Sequence, residues 1–86
     1  MFEFDPAKAA ANLAKHGIDF AEAEPVLYDP MAFSSSRSVG GELRHITTGM
    51  DAQLRVVTVV WTQRGINRRL ISARPATRKE REIYGS

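Results

Sequence analysis

Residues 71–85 read ISARPATRKEREIYG and gather Arg74, Arg78, Lys79 and Arg81 with Ser72, Thr77 and Tyr84. Guanidinium groups present paired donors that match the oxygens of a phosphate, and hydroxyls add further hydrogen bonds. An apolar run ends near Arg74, Pro75 breaks the ladder, and Thr77-x-x-Glu80 has the form of a capping box. That pattern predicts a strand that stops just before a helix opens. Ser72 and Arg74 then stand beside the first helical turn, which holds Arg78, and the free N–H groups there favour an anion. Arg64, in the turn after Trp61, adds another cation. For proton transfer the chain offers His45, Glu42 in GELRH, and Tyr84. His16, directly before Gly17, reads first as a helix-end residue.

Other chemistries find little support. Gly40-Gly41 and Gly65 are isolated and form no nucleotide-binding loop. His16 and His45 lie far apart without ligand-spaced carboxylates, so neither a metal nor another cofactor is expected. The chain has no cysteine, which excludes disulfides and thiolate metal sites and fits a reducing cytoplasm. MFEFDPAKAA lacks the apolar stretch of a signal peptide, and the apolar run Val56 to Trp61 is too short to span a bilayer. A cytoplasmic location without membrane association is therefore expected.

Charge is unevenly placed. Residues 1–54 carry four Lys and Arg against eight Asp and Glu, whereas residues 55–86 carry eight against two. A net charge of only +2 thus conceals a cationic C-terminal part suited to a polyanion.

The elements that must position these residues follow from pattern. Eighty-six residues allow one domain, residues 1–86, with one modest core. Phe2-Glu3-Phe4 suggests a short edge strand. Asp5 and Pro6 open an alanine-rich helix that Gly17 closes. DFAEAEPVLYD predicts a second short helix made irregular by Pro25, and AFSSSRSVGGE a weak strand running into a mobile Ser/Gly loop. LRHITTGM, QLRVVTVVWTQ and INRRLISAR predict three strands joined by turns at Asp51-Ala52 and Arg64-Gly65. The expected fold is α+β: two N-terminal helices packed on a small antiparallel β-sheet, with a short C-terminal helix.

With these residues placed, a resemblance emerges. FEFDPAKAAANLAKHGIDFAEA, a following DP, GELRH, VVWTQRG and RLISARPATRKEREIY together resemble the BrnT family of toxin–antitoxin toxins. These blocks cover most of the chain. Phe4 stands where tryptophan is common in the family, and residues 32–41 contain nothing diagnostic.

The resemblance implies a RelE-like fold and a ribonuclease that slows growth by cutting RNA. It also implies neutralisation by a BrnA-type ribbon-helix-helix antitoxin, with operator DNA bound only through the complex. It carries Arg64, Arg74 and Arg78 as active-site cations. His45 completes the expected catalytic set, while Lys15, Arg68, Ser72, Lys79 and Tyr84 are expected to contact RNA. Cleavage without metal needs attack by the 2′-hydroxyl on the adjacent phosphate, with cations fixed where charge develops. A non-catalytic basic module that binds nucleic acid or a protein partner is the competing reading.

Overall fold

The computed structural model describes residues 2–85. Its elements are β1 (Phe2–Phe4), α1 (Pro6–His16), α2 (Phe20–Ala23), a 3₁₀ segment (Glu24–Tyr28), β2 (Phe33–Val39), β3 (Glu42–Met50), β4 (Val56–Arg64), β5 (Asn67–Pro75) and α3 (Arg78–Ile83). The sheet order is β1-β5-β4-β3-β2. Strands β2 to β5 form an antiparallel meander, while β1 runs parallel to β5 with Phe4 beside Leu70.

This corrects the expectation of a RelE-like pair of N-terminal helices on a small antiparallel sheet. The sheet has five strands and is mixed. Only α1 is a full helix, because α2 has four residues and continues as the 3₁₀ segment. Pro25 supplies no backbone N–H, so the α-helical bonding pattern is interrupted there. The serines of β2 are strand rather than loop. Ser34 pairs with Thr47, and their hydroxyls lie 2.7 Å apart.

Local signals set α1 firmly. The Asp5 carboxylate accepts from the Ala7 N–H at 2.8 Å, Pro6 occupies the first turn, and Gly17 ends the helix at φ 73°. Left-handed backbone of that kind favours glycine. The buried Asn12 then locks the helix to the sheet edge. Its Oδ1 accepts from the Ala73 N–H at 3.0 Å, and its Nδ2 donates to the Ala73 and Ile18 carbonyls at 2.9 and 3.0 Å. One side-chain amide thus replaces a neighbouring strand where β1 has already ended.

The core lies between this helical layer and the sheet. Ile18, Phe20, Ala23 and Val26 meet Val57, Val59, Leu70 and Ala73, with Trp61 packed at the margin. Among the described residues no helix is long and apolar enough to cross a membrane.

Candidate functional site

Strand pairing divides the expected site residues among separate surfaces. On the helix-bearing face, Thr47 lies opposite the core residue Val59 and His45 opposite Trp61. The two rings stack with centroids 4.3 Å apart. Arg68 enters from β5, with its guanidinium carbon 4.9 Å from the Trp61 ring and 5.5 Å from that of Tyr28. Its Nη1 donates to the Leu27 carbonyl at 3.0 Å, and Trp61 Nε1 donates to Thr47 Oγ1 at 2.9 Å. Trp61 is therefore fixed, with a cation and an imidazole arranged about it. The His45 imidazole makes no hydrogen bond to other described side chains or backbone groups, and neither ring nitrogen is among the buried atoms left without a partner.

The far face has a different character. Thr48, Thr58 and Arg74 lie side by side across three strands. Arg74 donates from both terminal nitrogens to Glu80, at 2.8 and 3.1 Å. Glu80 Oε1 also accepts from the Thr77 N–H at 2.8 Å and from the Thr58 hydroxyl at 3.0 Å. Here the expected capping box is present, with the Thr77 hydroxyl accepting from the Glu80 N–H. The same glutamate that caps α3 therefore occupies the Arg74 guanidinium. Arg78 turns outward, nine-tenths exposed, and reaches Glu82 at 3.2 Å. The two guanidiniums thus engage different carboxylates.

The remaining residues scatter further. Arg64, the last residue of β4, contacts Glu42 at 3.4 Å, and Glu42 also contacts Arg44 at 3.4 Å. Lys79 is exposed on α3. Tyr84 donates its hydroxyl to Asp29 at 2.5 Å, tying the end of α3 to the loop before β2. Lys15 and Ser72 both line a groove between α1 and β5.

These contacts set protonation. The Arg74 guanidinium beside Glu80 is the largest influence on its carboxyl, which is held down to about 2 with help from the Thr77 N–H and the Thr58 hydroxyl against the opposing effect of burial. Hydrogen bonding from Tyr84 is the largest influence lowering Asp29, and the same bond raises Tyr84. A carboxyl that is depressed in the folded state binds fewer protons there than in the unfolded chain. Its stabilisation is complete above the ordinary value of 4.5 and fades as pH falls toward about 2. With the Arg74 side chain 35% exposed, screening leaves a contribution on the order of 2 kcal/mol. Urea unfolding of the wild type should therefore weaken across that acid range. Glu80→Gln should show a smaller slope, retaining the part due to Asp29; an identical slope in both proteins would contradict the assignment.

A family model described as the ribonuclease toxin BrnT of type II toxin–antitoxin systems matches residues 4–80. The chain belongs to the BrnT family. The 1.1 Å crystal structure of the Brucella abortus ribonuclease toxin BrnT is similar to it with a TM-score of 0.66 and 26% sequence identity. That similarity covers 90% of this chain and 96% of the other. No curated protein sequence matches the chain.

As a BrnT-family toxin, the chain carries features that its sequence pattern did not single out. Trp61 reads as core but is the ring on which His45 and Arg68 meet. The register that opposes positions 45 and 61 depends on the β3–β4 turn, and alternation alone does not specify it. Lys8 and Asn12 read as ordinary helix positions, yet they line the groove with Lys15. Their spacing of four and three residues, which puts them on one helix face, is the signal that was available.

Proposed function

We propose that this chain is an endoribonuclease toxin that cuts single-stranded RNA without a metal ion, slowing growth until an antitoxin covers it. The observation that carries this reading is the His45–Trp61–Arg68 cluster, an imidazole without a hydrogen bond to other described residues, stacked on an aromatic ring beside a guanidinium. The imidazole suits transfer of a proton, and the neighbouring cation suits the phosphate beside it.

In the reaction, the 2′-oxygen attacks phosphorus as His45 accepts its proton. The bond from phosphorus to the 5′-oxygen breaks, and the leaving oxygen takes up a proton. The products are a 2′,3′-cyclic phosphate and a 5′-hydroxyl. Positive side chains fixed near the phosphorus stabilise the charge that builds up on the nonbridging oxygens, and holding the sugar for in-line attack adds to the rate.

Among the expected cations, Arg64 and Arg78 have exposed, single contacts with carboxylates and exchange them for phosphate at little cost. Arg74 is held by a carboxylate that Thr58 and Thr77 also fix, so its role is to position α3 and the adjoining strand end. Lys79 adds attraction at longer range. The partner is a BrnA-type ribbon-helix-helix antitoxin, and operator DNA is bound through the complex of the two proteins.

The test is incubation of the purified protein with single-stranded RNA in excess chelator. Cleavage that persists is the expected result. Binding without cleavage under every condition would instead assign the chain to the non-catalytic nucleic-acid-binding class.

A further inference from the structure

The groove between α1 and β5 lies apart from the His45 cluster and from the Arg74–Glu80 pair. It is an open depression of about 240 Å³, lined by Lys8, Asn12, Lys15 and His16 from the helix and by Ile71 and Ser72 from the strand. Positions 8, 12 and 15 share one helix face. Two hydrogen bonds between Asn12 and Ala73 pin that face against β5, so the lysines on either side of it are carried to the groove.

Arg44, Arg55, Arg64, Arg69, Arg74 and Arg78 each hold a carboxylate. Among the described residues, Lys8, Lys15 and His16 hold none, as do Arg37, Arg68, Lys79 and Arg81 elsewhere on the molecule, and the Ser72 hydroxyl makes no hydrogen bond. Helix stability accounts for Lys15 and His16, which sit in the last turn beside exposed carbonyls. It does not account for Lys8. The first turn favours acids, contains none, and carries this cation instead.

We propose that the groove binds a phosphodiester of the RNA chain. Lys8 and Lys15 flank its charged oxygens from the two ends of the helix face, while His16 and Ser72 donate hydrogen bonds to it. The volume admits a phosphate with its ester oxygens, and its position on the sheet edge leaves the strand on either side of that phosphate free to continue across the surface. The site is distinct from the His45 cluster and extends the substrate contact beyond it. The proposal rests on the reading that RNA is the substrate.

The probe is an uncleavable single-stranded RNA octamer carrying 2′-O-methyl groups, with binding measured over a range of salt concentrations. The Lys8→Ala/Lys15→Ala double variant should bind it about tenfold more weakly. Its log–log salt dependence should be shallower by about 0.7, the amount that one lost phosphate contact on a single strand removes. The Lys8→Arg/Lys15→Arg variant should restore most of the affinity. Arg37→Ala, which removes an exposed cation from the opposite sheet edge, should retain the wild-type slope.

Wild-type affinity and slope in the double alanine variant, with RNA cleavage by the wild type intact, would overturn the groove and leave the substrate reading standing. Absence of both binding and cleavage in the wild type would remove the substrate reading itself. Unchanged RNA binding combined with weakened capture of the antitoxin would overturn the proposal by assigning the groove to the protein partner.

Discussion

Asn12→Ala should destabilise the protein by about 3–4 kcal/mol, a large part of the total for a domain of this size. Asn12 is 7% exposed, and its amide serves three backbone groups at positions with almost no access to water. Removing it leaves the Ala73 N–H and the Ala73 and Ile18 carbonyls unpaired. An unpaired group of that kind costs about 1–3 kcal/mol. Asp at this position retains the acceptor but loses both donated bonds, and it brings a charge to a buried site. Asn12→Asp should therefore be no milder than the alanine variant. Chemical denaturation at neutral pH measures both. A loss under about 1 kcal/mol for Asn12→Ala would mean that β5 does not depend on this amide at its edge.

His45→Ala should lower kcat for RNA cleavage about 100-fold, within the range lost when a general acid or base is removed. Its stacking with Trp61 contributes only about 0.5–1.5 kcal/mol to the fold, so the variant should remain folded. The pH dependence of kcat should lose one limb, which a purely structural contribution from the ring would leave in place. His45→Gln retains a planar polar group but cannot shuttle a proton at neutral pH, and it should be nearly as slow as the alanine variant. Unaltered kcat in both variants would remove His45 from the reaction and leave the cluster as an RNA-binding surface.

The two effects differ in how far the sequence foretells them. Pattern makes the Asp5–Pro6 start of α1, its Gly17 end, the three-strand meander and the Thr77–Glu80 box legible, because each depends on residues close together in the chain. The parallel pairing of β1 with β5 joins positions more than sixty residues apart, and nothing local encodes it. The serines of β2 carry no apolar alternation, since this edge strand is exposed along nearly its whole length. Its place is set by the β3 ladder and the Ser34–Thr47 contact.

The candidate site divides in the same way. The types of its residues are legible, whereas their groupings depend on register and on internal partners. Arg74 illustrates the limit. Its proximity to the start of α3 follows from the chain, but the partner that fills its guanidinium is the glutamate of the very capping box that marks the helix start. His45 and Arg68 illustrate the opposite case, for they are distant in sequence yet meet at one tryptophan.

The central claim is that RNA is cut by its own 2′-hydroxyl with side chains alone supplying the catalysis. Its most direct test is mass spectrometry of the fragment ends after digestion of a single-stranded RNA in excess EDTA. The expected result is fragments ending in a 2′,3′-cyclic phosphate or its 3′-phosphate hydrolysis product, paired with 5′-hydroxyl ends. Fragments with 3′-hydroxyl and 5′-phosphate ends, or cleavage abolished by EDTA and restored by a divalent cation, would contradict it.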